Sequence, residues 1–142
     1  MASKFSAFLS ENVERIPNAK IVVSNRFKDE NGKPVEWEIR AITSSENDAL
    51  QRRSFVNIPI VGQRGQYTKE MDQIKYVGLL LTASVVYPDL NDAELQDSYG
   101  VKTPEELLKN MLYAKEEELL AKKVMELSNL EDLQALVDDA KN

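Results

Sequence analysis

Hydrophobic and polar positions alternate along this chain in blocks that change period, and each block predicts an element. Over residues 4–16, Phe5, Phe8, Leu9, Val13 and Ile16 fall at helical spacing, with Ser3 able to cap the run and Pro17 to end it. Such a stripe is expected to cover the core of its own domain rather than to dock a partner. The period then drops to two. Ala19, Ile21, Val23 and Phe27 alternate with polar residues, as do Val35, Trp37, Ile39 and Ala41. Asn31-Gly32 between the two runs tolerates positive φ cheaply, so the pattern predicts a β-hairpin. A hairpin alone is marginal in water, so its apolar face is expected to lie on helices with Trp37 in the core.

Helical periodicity returns after the hairpin. Thr43 and Glu46 have capping-box spacing and open a helix to about Phe55, with Arg52 and Arg53 near its carboxyl end, where cations complement the macrodipole. Residues 56–68 contain Pro59, Gly62 and Gly65, which exclude a helix. Phe55, Ile58, Ile60 and Val61 make the segment apolar for a loop, which leaves two readings: it tucks under the domain or it meets a partner. Thr68 is placed to cap a central helix over 69–86 carrying Met71, Ile74, Val77, Leu81 and Val85, with Pro88 as the stop. Asn91 and Glu94 suggest a short helix ending at Gly100. Thr103 followed by Pro104 marks a further start, and that helix is expected to run on to Leu127. Ser128 and Glu131 open a last amphipathic helix with Leu130, Leu133, Leu136 and Val137. The fold class is therefore α+β, predominantly α-helical: an amino-terminal helix, one β-hairpin, then about four to five helices.

Composition narrows the chemistry. The chain of 142 residues is 42% hydrophobic and 30% charged, as folded proteins are, and has neither histidine nor cysteine. Ser-His and Cys-His nucleophiles, Cys/His zinc sites and disulfides are excluded. Carboxylates remain, but Glu105-Glu106, Glu116 to Glu118 and Asp138-Asp139 are neighbours on helices, where adjacent side chains diverge by about 100° and form no dyad. Residues 89–100 fail as a calcium loop: Ala93, Glu94 and Gly100 stand where a ligand, a glycine and a bidentate glutamate are needed. Gly62-Gln-Arg-Gly65 has the GxxG spacing of KH domains but lacks their flanking order, and no P-loop Gly-Lys-Ser/Thr follows it. No catalytic residue, cofactor site or metal site is expected.

Net charge is −6 and unevenly placed. Up to Ile60 the chain has nine basic and eight acidic residues; after it, nine and sixteen. This balance argues against nucleic acid as a partner. No apolar run approaches the ~20 residues of a membrane span, and the amino terminus has no export signature. The residues describe a small acidic binding module whose contacts are expected at Phe55, Ile58, Ile60, Val61, Tyr67, Leu130, Leu133 and Leu136.

Three strings resemble the XkdN-like family of phage tail assembly chaperones: VEWEIRAI at 35–42, RGQYT at 64–68 and LNDAELQDSYGV at 90–101. AFLSENV at 7–13 is similar too, and the resemblance covers roughly 5–112. It implies a globular α+β chaperone domain at 1–112 and an acidic helical extension at 113–142, docked or projecting. It also implies a non-enzymatic accessory protein of prophages or contractile tail-like particles. Such chaperones hold the tape measure protein soluble until tube subunits assemble around it. The tape measure protein is thus the expected partner, with the tail tube protein and a second copy of the chain as further candidates. The implied location is the cytoplasm of the bacterial host, with absence from the mature particle. The alternative is a structural or adaptor component retained in the tail.

Overall fold

The computed structural model describes residues 4–130. Its elements alternate sheet and helix in a mixed α+β fold. Strand β1 (Ala19–Ile21) pairs antiparallel with β2 (Trp37–Ile39), Ala19 opposite Ile39 and Ile21 opposite Trp37. Outside the strands, Lys28 bridges Pro34, and Gly32 turns the chain at φ 79°. The hairpin is the one the alternation predicts, and Trp37 is buried, 1% exposed, against Phe27 with ring centroids 5.8 Å apart.

Helix α1 (Ser44–Arg53) follows with its capping box formed: the Thr43 hydroxyl accepts from the Glu46 amide, and Glu46 accepts from the Thr43 amide. Next come β3 (Phe55–Pro59) and β4 (Tyr67–Met71), then α2 (Gln73–Ser84) and β5 (Val85–Tyr87). Strand β5 joins the other edge of β2, so the first sheet has three strands in the order β1-β2-β5. The short α3 (Ala93–Ser98) and then α4 (Pro104–Met111) and α5 (Ala114–Leu127) complete the described chain.

One apolar cluster joins these elements. Leu80 and Leu81 of α2, Leu107 and Leu108 of α4, and Leu120 and Val124 of α5 lie with Trp37 and Ile39 in a single core. Helix α2 is its axis, packing on α1, α4 and α5. Arg40 pins the sheet to two helices at once: its guanidinium donates to the Ala83 carbonyl at 3.1 Å and to the Glu46 carboxylate at 2.6 Å.

Five sequence expectations are corrected. The helix over 4–16 does not form; only a 3-10 turn at Ser6–Phe8 is present, and Phe5, Phe8, Leu9, Val13 and Ile16 are exposed rather than core. A helix of about 12 residues is marginal unless its apolar face is packed, and no described element covers this one. Residues 56–68 are not a loop but most of a second hairpin. The central helix starts at Gln73, not Lys69, because Asp72 rather than Thr68 caps it, accepting from the Lys75 amide. The same helix stops at Ser84, and residues 85–87 become a strand because β2 offers an unpaired edge. The long helix after Thr103 is broken at Leu112, whose extended backbone ends α4, and Tyr113 then opens α5. The short helix is capped by Asp92, not Asn91.

Candidate functional site

The second hairpin carries an exposed apolar surface. Strands β3 and β4 pair from Phe55 opposite Met71 to Pro59 opposite Tyr67. Their connection is closed by the Ile60 amide on the Gln66 carbonyl at 3.0 Å. It turns at Gly62 and Gly65, which hold φ of 81° and 75°, values that side-chain-bearing residues rarely adopt. The base is fixed between α1 and α2. Buried Ser54 donates its hydroxyl to the Leu50 carbonyl at 2.7 Å and accepts at its own carbonyl from the Asp72 amide at 2.8 Å.

Beyond that base the hairpin forms an arm. Among the described residues its sheet has two strands, and no third strand pairs with either outer edge. Val61 at the turn is 99% exposed and Tyr67 60%, with Phe55 and Ile58 also exposed and Ile60 half-buried. Arg64 and Lys69 lie on the arm and Arg52 and Arg53 at its root, opposed on the arm by Glu70 alone. A basic, apolar arm thus extends from an acidic protein. The amino-terminal segment adds a second exposed apolar stretch, with Phe8 79% exposed.

The sequence-derived contact residues separate into three groups. Phe55, Ile58, Ile60, Val61 and Tyr67 are brought together on the arm. Leu130, three residues beyond the end of α5, is half-buried against the core and not on the arm. Leu133 and Leu136 lie outside the described residues. The sequence reading missed the arm's strand character and the exposure of Phe8, Leu9, Val13 and Ile16. A signal for the arm existed: Val56, Ile58 and Ile60 alternate with Asn57 and Pro59 before a glycine-rich turn. None existed for the amino-terminal exposure, because periodicity identifies an apolar face and not what covers it.

The displaced acids serve architecture. Glu116 is held down to about 2 by hydrogen bonds from Arg26 and then Ser24, and Glu46 to about 2 by Arg40 and then the Thr43 amide. Each is a carboxylate locked to a guanidinium. Burial raises the Tyr76 phenol, which donates to the Asn47 side chain and ties α1 to α2. Among the described residues, no group of three or more acidic, histidine or cysteine side chains is placed to hold a metal ion. No helix among them is long and apolar enough to cross a membrane.

Residues 5–141 match the family described as phage XkdN-like tail assembly chaperone protein. The chain is 27% identical over 139 residues to protein XkdN of the phage-like element PBSX of Bacillus subtilis strain 168, covering 96% of this chain and 93% of that one. It is likewise 27% identical to protein YqbN of the same strain, over 96% of this chain and 92% of that one. In three dimensions it is similar to the crystal structure of YqbN, with a TM-score of 0.75 and 21% identity over 92% of this chain and 100% of that one. At that identity the structural likeness speaks for the fold.

Proposed function

Because the chain belongs to the XkdN-like phage tail assembly chaperones and so has a role in phage tail assembly, we propose that its client is the tape measure protein. In this reading the protein binds that long chain and keeps it soluble by contacts alone, without catalysis, before tube subunits assemble around it. The observation that carries the reading is the arm: Phe55, Ile58, Val61 and Tyr67 are exposed together on a hairpin that packs on the core through Met71 at its base. Large apolar groups held in water on a rigid base mark a contact surface. Two strand edges left open among the described residues supply backbone donors and acceptors to an incoming segment. The acidic remainder keeps a coated complex dispersed by self-repulsion. Several copies on one tape measure chain bind more firmly than one, because each neighbouring site acts at a raised effective concentration.

Work of this kind belongs in the host cytoplasm, and the protein leaves before the particle is complete. Co-expression with the tape measure protein, with an affinity tag on one of them, tests the binding. The expected result is a soluble complex that elutes together; a tape measure protein that stays insoluble, or a tag that recovers one chain alone, refutes it. Mass spectrometry of finished particles tests the departure: stoichiometric amounts of this chain there point to a retained tail component instead.

A further inference from the structure

The two long edges of the arm are not equivalent. In an antiparallel ladder, residues bonded across the pair alternate with residues that turn their N–H and C=O outward. The Asp72 amide bonds the Ser54 carbonyl at one end of the arm, and the Ile60 amide bonds the Gln66 carbonyl at the other. The register between those ends is continuous. Together they fix the phase: Phe55, Asn57 and Pro59 of β3 and Tyr67, Lys69 and Met71 of β4 turn their backbone groups outward. Pro59 has no N–H, so the outer edge of β3 lacks a donor next to the turn, which protects an edge against pairing. The outer edge of β4 keeps every donor and acceptor, and its residues from Tyr67 to Glu70 are exposed. Tyr67, Lys69 and Met71 also share one face of the hairpin, with a cation between two apolar side chains. On that face Pro59 lies opposite Tyr67, the neutral Asn57 opposite Lys69, and Phe55 opposite Met71. No acid of the hairpin answers Lys69 there, and the ion pairs among the described residues do not include it.

We propose that the β4 edge is the docking line of the arm, and that it takes as a third strand an extended client segment with an acidic side chain opposite Lys69 and apolar ones opposite Tyr67 and Met71. The proposal rests on the reading of the arm as the client surface, and adds which edge the client meets and what sequence it brings. Charge selects this occupant. An acid opposite Lys69 forms a favourable cross-strand pair, and apolar residues on either side continue the rows begun by Pro59 and Tyr67 and by Phe55 and Met71. A second copy fits badly. Outward groups bond only outward groups, so two β4 strands meeting antiparallel in full register set Lys69 against Lys69, and like charges directly opposite destabilise a ladder. Sliding the copies to the next bonded register in one direction sets Glu70 against Glu70; in the other it sets Met71 against the turn at Gly65. Lys69 thus guards the edge against its own kind while leaving it open to an acidic strand. The pattern apolar-x-acid-x-apolar reads alike from either end, so it serves a parallel or an antiparallel guest.

A peptide tests this without the client. The probe is the blocked peptide Thr-Val-Thr-Glu-Thr-Val-Thr, titrated into the isotope-labelled full-length chain and followed by amide NMR. Shifts are expected at the amides of Tyr67, Lys69 and Met71 and not at Asn57. Lys69→Pro, which removes the central outward donor and none of the bonds between β3 and β4, is expected to abolish them. Asn57→Pro, the matching change on the other edge, is expected to leave them. Lys69→Glu is expected to weaken the peptide about fivefold and to favour the same peptide with lysine in place of glutamate. The proposal is overturned by no shift on the arm, by shifts centred on Asn57, or by a preference for the glutamate peptide that survives Lys69→Glu. Arm amides that move with protein concentration alone, the mark of a second copy, overturn it too. So do outward amides of β4 already protected from exchange in the free protein, the mark of a segment of the chain itself. Co-purification separates the edge from the choice of client. Tape measure protein recovered undiminished by Lys69→Pro keeps the client and removes the edge. A peptide that docks as expected while no tape measure protein is recovered keeps the edge and removes the client.

Discussion

Arg26 grips Glu116 with two nitrogens, Nε at 3.0 Å from one carboxylate oxygen and Nη2 at 2.5 Å from the other. The same guanidinium donates to the Met111 carbonyl at 2.8 Å and stacks over the rings of Phe27 and Tyr113 at 5.0 and 4.7 Å. One side chain from the hairpin therefore closes the junction between α4 and α5, ninety residues away in the chain.

That geometry requires a planar fork. Arg26→Lys keeps the charge but loses the paired contact and the stacking, so it is expected to lower the melting temperature nearly as much as Arg26→Ala. Thermal unfolding of the two variants beside the unaltered protein checks this; full recovery by lysine would show that charge alone matters.

Acid should act through the same carboxylate. Glu116 falls from its ordinary 4.5 to about 2 on folding, so its contribution is complete above pH 4.5 and is lost as pH drops toward 2. Glu46 behaves alike through Arg40. The urea midpoint is expected to fall across that window, and Glu116→Gln to flatten the fall while leaving the part due to Glu46. An unchanged slope in the variant would contradict the assignment.

Leu120 tests whether α5 belongs to the common core. It is fully buried beside Val124 and the helices of the body. Leu120→Ala is expected to cost about 2–5 kcal/mol in equilibrium unfolding, with one cooperative transition retained. A loss under 1 kcal/mol, or a separate early transition, would mean that α5 is an appendage.

The cap of α1 is a smaller, local test. Thr43→Ala removes the acceptor for the Glu46 amide and should cost about 1 kcal/mol. Urea unfolding measures it, and Thr43→Ser should recover most of the loss.

On the arm, stability and binding should separate. Val61→Asp and Tyr67→Asp change exposed groups and are expected to shift stability by no more than about 0.5 kcal/mol. The same changes should sharply reduce the tape measure protein recovered in co-purification. Recovery equal to that of the unaltered protein would move the contact surface elsewhere, with Phe8 and Ile16 the next positions to alter.

Local chemistry was legible along the one-dimensional string. The first hairpin follows from alternation around Asn31-Gly32, α1 from the Thr43–Glu46 box, and the start of α4 from Thr103 and Pro104, because each rests on contacts within a few residues. The family too was readable in motifs within 35–101, and the exclusion of histidine and cysteine chemistry needed only composition. Tertiary structure decided the rest. Residues 85–87 have helical periodicity behind them, yet become a strand because β2 presents an open edge. The stripe of Phe8, Leu9, Val13 and Ile16 reads as core, yet lies in water because no described surface faces it. The segment from Phe55 to Met71 stands out as an arm only because α1 and α2 close around Ser54 and leave it no apolar wall. Periodicity states which residues seek cover; only the packed chain determines which of them find it within the molecule and which remain exposed for a partner.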